Sequence, residues 1–171
     1  MIAELLLTMV LNAEQLYTEL LFIEAKKIHN KIVSRNEIYD APKLYLEKTD
    51  IVNAWVYSDG DGSVHITRGM LLSVKNADEL ALVLAHELGH WVHRGRQTPY
   101  YAEYWADEYG FRAMKIAGYN KCRGAQVVWR WGAESSYSHP SSTDRYVNIT
   151  PNCYGKANVE SDTLEYSKGA Q

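Results

Sequence analysis

Cysteine is nearly absent: Cys122 and Cys153 are the two thiols in 171 residues. They have no metal-type spacing, which excludes a cysteine-based metal site and a disulfide-dense scaffold. Two readings stay open for them, a pair of free buried thiols, which we favour, or one bridge. Long hydrophobic runs are also lacking. The longest, Ile2 to Leu11, is interrupted by Glu4 and has about half the length a bilayer crossing needs. Leu11-Asn12-Ala13 loosely resembles a signal cleavage site, but no basic residue precedes the run, as a secretion signal would require. There is no excess of one charge either. Net charge is -3 and the basic residues are scattered, apart from short pairs such as Lys26-Lys27 and Arg94 with Arg96. That pattern excludes an electrostatic footprint for nucleic acid or anionic lipid. These absences predict a soluble chain without an integral membrane segment, cytoplasmic rather than secreted.

What is present is a composition that folds. Apolar residues make up 46% and aromatics 12%, with 13 Tyr and 5 Trp against 2 Phe, which excludes intrinsic disorder. The length suits one domain over residues 1–171. From Ile2 to Val33, Leu5, Met9, Leu16, Leu20, Ile23, Ile28 and Ile32 recur at helical spacing. This predicts one long helix, or two with a break near Asn12, as a helical segment over 1–38. Asp40-Ala41-Pro42 ends it, and a core over 43–150 follows. Lys43 to Glu47 alternates like a strand. Asn53 to Tyr57 and Ser63 to Thr67 flank Asp59-Gly60-Asp61-Gly62, a hairpin signal. A calcium-loop reading of that turn fails, because it needs Gly and Glu where Val64 and Met70 stand. Asn76 to Glu79 reads as a capped start of a helix running to about Val92. Further helices are expected from Pro99 to about Gly118 and from Ala125 to Trp131, before a polar tail over 158–171.

The chemistry concentrates in His86-Glu87-Leu88-Gly89-His90. Residues four apart on a helix project about 40° apart, so His86 and His90 can share a cation. Glu87 falls beside that cation, where a general base takes a proton from a water activated by the metal. Two histidines and a glutamate within an apolar helix would be costly to bury without a shared partner. A catalytic zinc takes three protein ligands. The HExxHxxGxxH solution fails, since His93 and Arg96 stand where Gly and His are needed. His93 fits a packing or helix-terminal role better. The next helix offers Glu103 and Asp107, four apart on one face. One carboxylate can complete the zinc shell while the other hydrogen-bonds a ligand histidine from outside.

Taken together, the segments resemble peptidase family M48, in particular its small soluble minigluzincin type. The resemblance runs from about Asn53 to Ile149. It comprises Asn53-Ala54-Trp55, Gly69-Met70-Leu71, HELGH, the Glu103 to Asp107 segment, Ala117-Gly118-Tyr119-Asn120, and Ser138-His139-Pro140-Ser141 with Arg145. It implies an α+β zincin-like (gluzincin) domain, with a small antiparallel or mixed sheet packed on the HELGH helix and a long N-terminal helix. It further implies one zinc (Zn2+) per chain on His86, His90 and Glu103, Glu87 as general base and Asp107 behind a ligand. His139 and Arg145 would stabilise the oxyanion or cover the metal. Asn53, Ala54 and Trp55 would bind an extended substrate as an added strand. The expected activity is endopeptidase cleavage of unfolded or flexible polypeptide. The alternatives are a zinc-stabilised peptide-binding module without catalysis, and a latent protease whose N-terminal helix or His139 fills the fourth zinc position.

Overall fold

A computed structural model describes residues 2–60, 62–95, 99–131, 141–150 and 153. The predicted N-terminal helix forms without a break, as α1 (Ile2–Arg35). Its end is followed by β1 (Lys43–Glu47), β2 (Ala54–Tyr57) and β3 (Ser63–Thr67). The sheet is mixed, in the order β1-β3-β2: β3 runs parallel to β1 and antiparallel to β2. Alternation along the strands separates its faces. Val64 and Ile66 are wholly buried, with Leu44, Leu46, Ala54 and Val56 packed on the same core. The opposite face carries Tyr45, His65 and Trp55 in one stacked row, ring centroids 5.4 and 5.2 Å apart. His65 is fixed there by Glu47 at 2.6 Å and Ser63 at 2.9 Å.

Six further helices follow among the described residues, including two short ones not foreseen from sequence. The short α2 (Arg68–Ser73) begins at Thr67, whose hydroxyl accepts from the Met70 amide. α3 (Ala77–Val92) carries HELGH, and α4 (Pro99–Ile116) returns beside it. α5 (Lys121–Gly124), the other unforeseen helix, precedes α6 (Gln126–Trp131) and α7 (Ser142–Ile149). The predicted cap of α3 forms as expected: the Asn76 side chain accepts from the amides of Asp78 and Glu79, each at 3.0 Å. Both acids are buried, and both have partners. Asp78 accepts from Arg123 and from the Asn120 amide; Glu79 pairs with Arg130 and accepts from the Lys75 amide. No helix among the described residues is long and apolar enough to cross a membrane.

α3 is buried on nearly every side, with α4, α1, α5 and β2 against it, as expected of a helix that is apolar all round. Its approach to α4 is unusually close at two glycines. A Cβ on Gly89 would lie 2.7 Å from the Ala106 carbonyl oxygen, and one on Gly110 would lie 3.1 Å from the His86 nitrogen. These two contacts set the register of the helix pair.

Our favoured reading of the cysteines is overturned. Cys122 and Cys153 are bridged, with a Cα separation of 5.6 Å, so the end of α7 is tied to α5 across 31 residues of chain. A spacing of 31 carries no sequence signal, which is why the pairing was not legible. The bond is of a kind that oxidising compartments keep, so it weighs against the cytoplasmic expectation.

Two outcomes follow for stability. Gly89→Ala should lower the free energy of unfolding by about 1–3 kcal/mol, because the added methyl has backbone in its path; denaturant titration by circular dichroism measures it. Closing a loop of this length is worth about 3–4 kcal/mol in the chain-entropy model. The double variant Cys122→Ser/Cys153→Ser should lose about that much in the same titration, and reducing agent should affect only the parent protein.

Candidate functional site

The antiparallel course of α3 and α4 sets two i,i+4 pairs face to face. His90 and His86 descend along α3 while Glu103 and Asp107 ascend along α4. Glu103 therefore lies between the two imidazoles: its carboxylate oxygens are 3.4 Å from His86 Nε2 and 3.4 Å from His90 Nε2. The two Nε2 atoms are 3.0 Å apart, with the rings at right angles. One ligand atom from each of His86, His90 and Glu103 falls within 4.8 Å of the others, and this group could hold a metal ion. No other His, Cys, Asp or Glu among the described residues joins it.

The donor set passes a chemical test for a cation. Asp107 Oδ1 lies 2.8 Å from His86 Nδ1, so that nitrogen carries the proton and donates. In the neutral ring the lone pair is thereby placed on Nε2, facing His90 and Glu103. A tetrahedral shell with bonds of about 2.0–2.1 Å has ligand edges of about 3.3 Å. The observed 3.0, 3.4 and 3.4 Å match that spacing. The electrostatics lean the same way. Burial disfavours a charged His86, yet hydrogen bonds to Asp107 and Glu103 outweigh it and push the ring up to about 10. Burial likewise opposes the charge on Glu103, but His86 and His90 hold its carboxyl well below the usual range. The cluster draws in positive charge, which a divalent cation supplies.

Glu87 is buried one residue along from His86 and lines the adjacent cavity without joining the ligand cluster. Burial pushes its carboxyl up, with His86 and His90 opposing. That cavity measures about 400 Å³ and lies between β2 and the facing ends of α3 and α4, lined by Trp55, Glu87, His90, His93, Arg94 and Glu103 among others. Of the three predicted substrate contacts, Trp55 lines it. Asn53 and Ala54 do not, although Ala54 belongs to β2, the sheet edge beside the cavity. Asn53 is held by its backbone to Thr67, at 3.1 Å in each direction.

Arg145 projects from α7 into the rear of the cluster. Its Nε and an Nη donate to both Asp107 oxygens at 2.8 and 2.7 Å, and the other Nη lies 3.3 Å from Glu103. Burial opposes its charge, but the Asp107 bond prevails and raises its pKa. His139 lies outside the described residues, as does the segment 158–171. His93 caps the C-terminus of α3, with Nδ1 2.9 Å from the Gly89 carbonyl and its ring near Trp105 and Tyr109. The sequence reading missed Ser58, Arg94 and Ala102 as lining residues. They carry no pattern of their own and meet only through the fold.

Residues 22–99 match the family model described as Peptidase family M48, a little under half of the chain. The match ends before Glu103, so the third member of the cluster is supplied by geometry. Among curated proteins, the chain is 36% identical over 64 residues to a protein named Protease HtpX homolog from Thermoplasma acidophilum. That alignment covers 36% of this chain and 20% of the relative, so the chain spans about a fifth of the relative's length. No solved structure matches. HELGH lies towards the C-terminal end of the matched segment and on the central helix of the fold, and over that segment the chain is similar to peptidase family M48.

Proposed function

We propose that this chain is a zinc-dependent endopeptidase of the soluble minigluzincin type, cleaving flexible or unfolded polypeptide. The observation that carries the reading is the convergence of His86, His90 and Glu103 on one point, with Glu87 beside it in the cavity wall. Zinc in this donor set would polarise the scissile carbonyl and lower the pKa of a water molecule nearby. His86, His90 and Glu103 would hold it. Asp107 fixes the His86 tautomer, and Arg145 fixes Asp107.

Glu87 takes the proton from the water as its oxygen attacks the carbonyl carbon. It then delivers that proton to the departing amine nitrogen as the C–N bond breaks. A carboxyl raised by burial suits a group that must both accept and release a proton. β2 is an edge strand among the described residues, and its edge beside the cavity supports docking of an extended peptide as a further strand, with Trp55 against its side chains. Arg145 is read as a positioning residue for Asp107 and Glu103. The oxyanion role implied for His139 stays with the family resemblance. Among the described side chains of α1, Glu14 is 3.8 Å from Arg68 and Glu24 pairs with Lys27.

Two measurements test the reading. Metal analysis of purified protein should give about one zinc per chain, and Glu87→Gln should keep that zinc while hydrolysis of a mixed peptide library, followed by mass spectrometry, is lost. Peptide binding with zinc present but no cleavage by the parent protein would make it a binding module. Asp107→Ala should weaken zinc binding by about 10–100-fold, read by competition with a chromogenic chelator, because the ring of His86 loses its orienting partner. Unchanged affinity would remove Asp107 from its assigned role.

A further inference from the structure

Among its described side chains α1 carries two apolar faces, and the fold uses one of them. Thr18, Ala25, Ile28, His29 and Ile32 are buried against the rest of the chain. On the opposite side of the helix Leu16, Leu20 and Ile23 remain 66%, 63% and 44% exposed. Large aliphatic side chains aligned this way on one helix call for a covering surface. Their spacing is that of a coiled-coil seam. In the sequence, Ile2, Leu6, Met9, Ala13, Leu16, Leu20 and Ile23 follow one another at alternating steps of four and three, a run of three heptads.

We infer that a second copy of this chain covers the seam, with the two α1 helices packed antiparallel about a twofold axis. Charge selects both the partner and the direction. Upstream of Lys26 the helix has Glu4, Glu14, Glu19 and Glu24 with no basic residue, and downstream it has Lys26, Lys27, Lys31 and Arg35. A helix that is acidic in its first part and basic in its last complements itself when reversed. The residues flanking the seam make this specific. Glu19 and Lys26 occupy equivalent flanking positions one heptad apart, and both are exposed. With Leu20 facing Ile23 of the second copy, antiparallel packing brings Glu19 to Lys26 of the second copy, twice by symmetry. Parallel packing would set Glu19 against Glu24, a like-charge contact. The same acidic half is a poor match for an anionic lipid surface.

Sedimentation equilibrium of the full chain, oxidised and with its metal, tests the inference. The parent protein should form a reversible dimer. Leu20→Glu should raise the dissociation constant by about tenfold or more, with the far-UV circular dichroism unchanged. Glu19→Lys should also weaken the dimer, and Glu19→Lys/Lys26→Glu should restore it. A parent protein that stays monomeric to about 100 µM would overturn the inference, as would a dimer indifferent to Leu20→Glu. Tightening by Glu19→Lys would overturn the antiparallel arrangement. Flotation of monomer with neutral phosphatidylcholine vesicles, lost in Leu20→Glu, would overturn it in favour of lipid.

Discussion

The close approach of α3 to α4 is the constraint on which the site depends. Each helix carries a pair of chemical side chains four residues apart, which by itself means little. The pairs become a site because Gly89 sits on Ala106 and Gly110 on the His86 backbone. Without side chains at these crossings, the helices come near enough for Glu103 to touch both imidazoles and for Asp107 to reach His86. Glycine lowers helix propensity by about 1 kcal/mol at such positions, so its place here is explained by packing.

That proximity buries an unusual density of charge. Asp107, Glu103 and Arg145 are almost inaccessible around an imidazole that is itself buried. Isolated, each would be expelled or neutralised. They persist as a hydrogen-bonded chain running from Arg145 through Asp107 to His86, and the end of that chain is the lone pair offered at Nε2. Arg145 reaches both Asp107 and Glu103 from behind, but its single charge offsets only one of these two carboxylates. The remaining negative charge faces the front, where the imidazoles converge. A buried array with one cationic position behind and an acidic opening ahead is organised to receive a cation at that opening.

Much of this was legible in sequence where local rules apply. The α3 cap, the hairpin, the α1 periodicity and the pairing of HELGH with Glu103 and Asp107 all rest on spacings of two, three or four residues. What was not legible depended on distance along the chain. The Cys122–Cys153 bridge spans 31 residues, and the contact of Arg145 with Asp107 spans 38. The short helices α2 and α5 were missed because neither has a hydrophobic period to detect. α2 exists because the Thr67 hydroxyl caps it, and α5 because the Asn120 side chain accepts from the Cys122 and Arg123 amides. The parallel pairing of β1 with β3 was equally beyond local reading, since alternation fixes which face is buried but not which strand is the neighbour.

The cavity needs its strand wall held as firmly as its helical floor, and the hairpin turn supplies this. Gly62 lies flat on the Trp91 indole, where a Cβ would penetrate the ring at 2.2 Å, and its φ of +67° suits glycine alone among unstrained choices. The Arg94 guanidinium covers the same indole at 3.7 Å and is anchored by Asp40 at 2.8 Å. Trp91 is one residue beyond His90, so the end of the site helix, the β2-β3 turn and the segment before β1 are gathered on a single ring. The distance between Trp55 on the strand edge and Glu87 on the helix is therefore fixed by packing remote from either residue. Under the proposed function, a peptide docked beside β2 meets a wall and a carboxylate whose relative placement was set before it arrived, which is the condition for positioning a scissile bond without first ordering the site.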